Sequence, residues 1–187
     1  MKQLFIMLIG FSRSGKTTLA KKIIENIKDL VLIDSDSIHL FLNNTYPLFQ
    51  DNDTIEGQSY EIRQKTTKAI QEALISTLLK DGHSILLDAN NGKKEVRETI
   101  LKTVKNINPE IQTILLRHKI DEKILYKNIK KADQIKGGYT WKDLYEKIQK
   151  PNFDEATKDE TNYLLIHTNN TADIINEIKN ISTKHRV

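Results

Sequence analysis

The 187-residue sequence has no cysteine, which excludes a disulfide framework and a thiolate metal centre. The same absence fits a reducing, cytoplasmic setting. Arginine is scarce, with 5 residues against 24 lysines, 26 isoleucines and 15 asparagines. A surface evolved for phosphate contact uses arginine forks. The net charge of +4 therefore reads as the compositional bias of an AT-rich genome rather than as a nucleic-acid surface. No run approaches the ~18 apolar residues that a bilayer span needs, so no membrane partner is expected. The apolar stretch from Met1 to Gly10 is too short for a signal-peptide core with a cleavage site. It runs directly into Ser12-Arg13-Ser14-Gly15 and reads as a buried strand. There is no internal repeat, low-complexity tract or inter-domain linker.

What the chain does contain is an alternation of apolar runs and amphipathic stretches. Leu4 to Ile9 is continuously apolar, as a parallel strand covered on both faces requires. A helical stripe of Leu19, Ile23, Ile24 and Ile27 follows. Leu30 to Ile33 is a second strand that stops at Asp34, and Ser37 to Leu42 reads as a short helix. Asn43 to Gly57 carries Pro47, Gly57 and several Asn and Asp, the composition of a loop. Ser59 to Lys80 is a long helix, with Ile62, Thr66, Ala69, Ile70, Ala73, Leu74, Thr77 and Leu78 on its expected buried side.

Ser84 to Leu87 is a third strand ending at Asp88. Lys93 to Asn106 is helical and stops before Pro109. Ile111 to Leu116 is the fourth strand, and Asp121 to about Asp133 is helical. Gly137-Gly138 interrupts the chain, Thr140 to Lys150 is helical, Tyr163 to Ile166 is the fifth strand, and Thr171 caps a last helix. Such alternation in one domain of this length predicts an α/β fold, a parallel sheet with helices on both faces.

Gly10-Phe11-Ser12-Arg13-Ser14-Gly15-Lys16-Thr17 matches the phosphate-loop pattern G-x-x-x-x-G-K-[ST], placed after a buried strand and before a helix as the motif requires. Gly10 and Gly15 permit backbone angles that other residues resist. The N–H groups of Ser12, Arg13, Ser14 and Gly15 through Thr18 then point inward at the phosphates, reinforced by the helix N-terminus. Lys16 reaches the β- and γ-phosphates, and the Thr17 hydroxyl ligates Mg²⁺. Arg13 either touches phosphate or is a solvated loop residue.

Three acids follow strands. In an open parallel sheet the C-terminal strand ends line the ligand crevice, so Asp34, Asp36 and Asp88 are expected on the edge that carries the phosphate loop. Asp88, after an apolar run, is the Walker B acid expected to hold the Mg²⁺ shell. Asp36 is either a general base for an acceptor hydroxyl or a helix cap. Asp34 is a cap or part of the Mg²⁺ surroundings. Asn90 either binds substrate or makes a turn with Asn91-Gly92.

Phosphoryl transfer needs positive charge over the moving group. The candidates are Arg97, Arg117, Lys127, Lys130, Lys131 and Lys136, with a closing lid expected at 127–140. Arg63, His39, Tyr60 and Trp141 are candidates for the acceptor pocket, or for packing.

On these residues the chain resembles the small P-loop kinases grouped with the phage polynucleotide 5′-kinase domain, a broad AAA-type ATP-binding family. Zeta toxins and chloramphenicol phosphotransferase are more distant likenesses. The resemblance rests on Gly10 to Thr17, on Ile33-Asp34-Ser35-Asp36-Ser37, on Leu86-Leu87-Asp88-Ala89-Asn90 with Arg97 downstream, and on 139–160. It implies a P-loop three-layer α/β/α fold with a five-stranded parallel sheet of order 2-3-1-4-5. It further implies ATP and Mg²⁺ as cofactors, and transfer of the γ-phosphate to a hydroxyl of a small molecule or of a nucleic-acid 5′ end.

By position Asp36 matches the family's general base, while Asp88 and Asn90 match its strand-three motif. Two departures stand out. His39 occupies the position where the polynucleotide kinases carry Arg, three residues past the base. The lid stretch Lys130-Lys131-Ala132-Asp133 offers only lysine, a point charge in place of a bidentate clamp. A nucleotide-binding ATPase or switch without an acceptor is the alternative. It requires loops that reorder with the γ-phosphate, which Asn43 to Gly57 is long enough to do. The sequence shows neither an N-K-x-D signal nor a glutamine positioned after Asp88.

Overall fold

A computed structural model describes residues 3–45, 58–132, 140–167 and 171–183, with side chains for all of these except 58–60 and 162–167. Leu4–Ile9 forms β1, and all six of its residues are buried. Successive strand side chains point to opposite faces. Leu4, Ile6 and Leu8 therefore pack with Leu19, Ala20 and Ile23 of α1 (Lys16–Asn26) and with Ile174, Ile175 and Ile178 of α7 (Thr171–Thr183). Phe5, Met7 and Ile9 pack on the other side, with Ile75 and Leu79 of α3 (Gln58–Lys80) and with Ile100, Leu101 and Val104 of α4 (Lys94–Ile107). A strand without a polar face thus sits in the middle of three layers.

The other strands are β2 (Leu30–Asp34), β3 (Ser84–Asp88), β4 (Gln112–Lys119) and β5 (Asn162–His167). They run parallel. β2, β3, β1 and β4 lie side by side in that order, and β5 pairs with β4 at the edge. The register sets Asp34 beside Asp88 and Ile9 beside Arg117. The acids and the start of the phosphate loop therefore share one end of the sheet.

Three elements depart from the sequence expectation. The helix after β2, α2, spans Ser35–Thr45 rather than 37–42, because Asp34 caps it. Asp34 Oδ1 accepts from the Asp36 N–H at 3.1 Å, and its Oδ2 accepts from the Ser37 hydroxyl at 2.6 Å. The rest of the expected loop, 46–57, lies outside the described residues.

The buried stripe of α3 is Thr67, Gln71, Ile75 and Leu79, whereas Ile62 is 45% and Leu74 39% exposed. The face is turned by polar contacts to α2. Gln71 accepts from the Ser35 hydroxyl at 2.6 Å, and Thr67 bonds His39 Nδ1 at 3.2 Å. Beyond α5 (Glu122–Lys131), which is capped by Asp121, the expected helix from Thr140 begins as α6 (Trp141–Asp143). It has a Thr140/Asp143 capping box and continues as a π-helical run, Leu144–Gln149.

Candidate nucleotide-binding site

The phosphate loop leaves β1 and turns into α1 within six residues. Arg13 and Gly15 supply the turn with φ of 63° and 94°. A Cβ at Gly10 would stand 2.9 Å from the backbone oxygen of His118, so only glycine lets the loop lie against the end of β4. Lys16 Nζ donates to Phe11 O at 2.9 Å and folds over its own loop. Desolvation pulls the Lys16 pKa below its ordinary value; Asp88 and Asp36 oppose that, and Arg117 adds to it.

The Thr17 hydroxyl donates to Asp88 Oδ2 at 2.7 Å. Burial raises the Asp88 pKa, opposed by the Thr17 bond and by Lys16. Among the described residues no cluster of three or more His, Asp or Glu is placed to hold a metal. The hydroxyl–carboxylate pair still fits Mg²⁺. That ion keeps several waters and takes one or two protein oxygens plus phosphate, rather than an all-protein cage.

The two acids after β2 separate in role. Asp34 makes the cap described above, while the Asp36 carboxylate is exposed and makes no cap bond. Both act electrostatically on Lys16. His39, one turn along α2, bonds Thr67; burial and Arg63 lower its pKa and Asp36 opposes them. Arg63 Nη1 donates to Asn43 Oδ1 at 2.7 Å. Asp36, His39 and Arg63 thus lie on the facing parts of α2 and α3. Tyr60 falls outside the described side chains. Asn90 lines a cavity of about 180 Å³ with Gly10, Phe11, Lys93, Gln149 and Phe153. Its neighbour Asn91 is buried and donates to Leu8 O at 2.8 Å, tying the segment after β3 to β1.

The expected cations fare differently. Arg97 is fully buried, so it is a structural clamp and not a phosphate ligand. Its Nε and Nη2 grip the Glu160 carboxylate at 2.8 Å each, and Nη1 donates to the carbonyls of Asn91, Gly92 and Asp154. Arg117 lies within β4, which runs on to Lys119 rather than ending at Leu116, and its guanidinium is engaged. Nε and Nη2 hold Glu155 at 2.9 Å each, Nη1 donates to His118 O at 2.8 Å, and the group stacks 4.5 Å from the Phe153 ring.

Arg13 stacks over Trp141 at 4.0 Å, which places Trp141 against the phosphate loop rather than beside His39 and Arg63. Lys127, Lys130 and Lys131 are exposed on α5, Thr18 is exposed on α1, and Ser14 is buried with its hydroxyl unbonded among the described residues. Lys136 and the rest of the expected lid at 133–139 lie outside the described residues.

Two residues here carry no motif signal. His118 is buried behind the loop, with Cε1 3.6 Å from where a Gly15 Cβ would be. Burial, Lys16 and Arg117 lower its pKa to about 4, so it is neutral at pH 7. Gln149, at the end of the π-helical run, bonds Ser12 twice: Oε1 accepts from the Ser12 N–H at 3.0 Å, and Nε2 donates to its hydroxyl at 2.7 Å. Phe11 packs between Tyr145 and Phe153, with centroids at 5.0 and 4.5 Å. Residues 144–153 therefore lie directly against the loop. Ser12 was expected in the phosphate loop, but nothing in the sequence pointed at Gln149 as its partner.

Comparison with known proteins agrees with this geometry. No curated protein matches the chain. Among solved structures, a protein of Chloroflexus aurantiacus J-10-fl provisionally described as a kinase is 13% identical. The match covers 96% of this chain and 98% of that one, with a TM-score of 0.67. A gluconokinase from Sinorhizobium meliloti 1021 is 14% identical, covering 97% of this chain and 92% of that one, with a TM-score of 0.56. A chain of the Pnkp1/Rnl/Hen1 complex is 20% identical over 73% of this chain and 42% of that one, with a TM-score of 0.55. At such identities these likenesses show that the fold is shared. The AAA domain family model matches residues 5–139, a span that contains the phosphate loop, and the chain belongs to the AAA domain family.

Proposed function

We propose that this chain is an ATP- and Mg²⁺-dependent kinase that transfers the γ-phosphoryl group to a hydroxyl, on a small molecule or on a nucleic-acid 5′ end. The observation that carries the reading is the division of labour among the three acids. Asp88 is bonded to the phosphate-loop hydroxyl of Thr17, and Asp34 is spent on the cap of α2. Asp36 alone is left as an exposed carboxylate that acts electrostatically on Lys16. A carboxylate so placed serves an acceptor hydroxyl or a water alike, and the dependence of ADP release on an acceptor separates the two.

The roles follow from this placement. The loop amides and Lys16 bind the phosphate chain. Thr17 and Asp88 would hold Mg²⁺, which when bound offsets phosphate charge. Asp36 accepts the proton of the acceptor hydroxyl as it attacks. His39, Arg63 and Asn90 face the acceptor, and Lys131 supplies a cation from the exposed end of α5. Arg117 acts through its field on Lys16 and by holding the loop floor.

The test is ADP release from MgATP with a panel of polyols, sugars, antibiotics and 5′-hydroxyl oligonucleotides, followed by mass analysis of the acceptor. Acceptor-dependent ADP release with one phosphoryl group added to the acceptor is expected. ADP release at the same rate with and without every acceptor would favour a hydrolase.

A further inference from the structure

Gln149 holds a phosphate-loop residue, Ser12, from a distant part of the chain. Its Oε1 takes the Ser12 N–H at 3.0 Å, one of the amides that the motif assigns to the phosphates, in the way a phosphate oxygen takes such a donor. The return bond from Nε2 to the Ser12 hydroxyl at 2.7 Å fixes the carboxamide's orientation. The contact joins positions 137 residues apart, so it does not follow from local chain geometry. The element that carries it is a six-residue π-helical run, a rare irregularity that is frequent at functional sites. That run and α6 before it are seated on the loop at two further points: Tyr145 against Phe11, and Trp141 beneath Arg13.

We infer that Gln149 is a positioning residue of the nucleotide site, which holds the Ser12 corner of the phosphate loop and must surrender the Ser12 N–H to the phosphate chain when nucleotide binds. The inference rests on the nucleotide-binding part of the proposed function. Gln149 competes with phosphate for one donor, so its removal favours binding. A carboxylate in its place would compete harder and repel the phosphates. A residue that merely supported the fold would shift affinity downward for any replacement.

The experiment is calorimetric titration of the full chain with MgATP and, as a probe of the phosphate site alone, inorganic tripolyphosphate. Wild type is compared with Gln149→Ala, Gln149→Met and Gln149→Glu. The Ala and Met variants are expected to bind both probes about 3- to 10-fold more tightly, the worth of one exchanged hydrogen bond. The Glu variant is expected to bind them at least about tenfold more weakly. In the absence of ligand, hydrogen exchange at the Ser12 amide is expected to quicken in the Ala and Met variants. Equal or weaker binding by both of those variants, with wild type binding normally, overturns the inference and leaves the nucleotide site standing. Unchanged Ser12 protection overturns it as well. Failure of every variant and of wild type to bind either probe overturns both readings.

Discussion

Replacing Arg97 by methionine tests how the site is held together. Arg97 is 0% exposed and the Glu160 side chain 2% exposed, with 2.8 Å between Nε and Oε2. The substitution keeps much of the side chain's bulk but strands the Glu160 carboxylate in a place water does not reach. Three carbonyls, of Asn91, Gly92 and Asp154, lose a charged donor at the same time. Breaking a buried pair from one side costs about 3–5 kcal/mol. For a chain of this size each kcal/mol moves the melting temperature by about 2–4 °C. A fall of roughly 6–20 °C is therefore expected in thermal or denaturant unfolding. The double variant Arg97→Met with Glu160→Leu removes both charges and should recover much of the loss. A fall under about 2 °C for the single variant, or a double variant less stable than it, would refute the reasoning.

Two further outcomes follow from the same geometry. Gly10→Ala would press a methyl group to 2.9 Å from the His118 carbonyl. It should displace the loop and weaken MgATP binding by at least about tenfold, and unchanged affinity by titration would count against the cradle. His118 is held neutral with a pKa near 4 by burial and by Lys16 and Arg117. The unfolded chain takes up that proton near pH 6.5 and the native chain does not, so the stabilisation present above pH 6.5 is lost as pH falls toward 4. His118→Phe should flatten the denaturant midpoint across that window, removing on the order of 2 kcal/mol of pH dependence. An unaltered slope would show that His118 does not carry it.

The local signals read well from the sequence, and the long-range pairings did not. Gly10 to Thr17 could be placed because every part of the motif lies within eight residues and between a strand and a helix. The acids after β2 and β3 could be placed because a parallel sheet brings its strand ends to one edge. Arg97 and Arg117 were candidate cations, and the structure pairs both with glutamates. Their partners Glu160 and Glu155 lie 63 and 38 residues away, and no periodicity announces such a pair. The buried face of α3 was misread because hydrophobic residues were assigned inward. Thr67 and Gln71 take those positions to bond α2. His118 and Gln149 gave no signal at all, since each matters only through what the fold sets beside it. Lys131 and the expected lid gain no contact among the described residues that would select one cation over another.

The central claim is that Asp36 takes the acceptor proton in phosphoryl transfer from ATP. The most direct test is Asp36→Asn on an acceptor phosphorylated by the wild-type chain, with kcat and the MgATP dissociation constant measured in parallel. Asn keeps the shape but not the charge, and Asp34 still caps α2, so folding should be preserved. A fall in kcat of about 10²- to 10⁴-fold is expected, with MgATP affinity within a few-fold of wild type. Full transfer by the Asn variant would contradict the account.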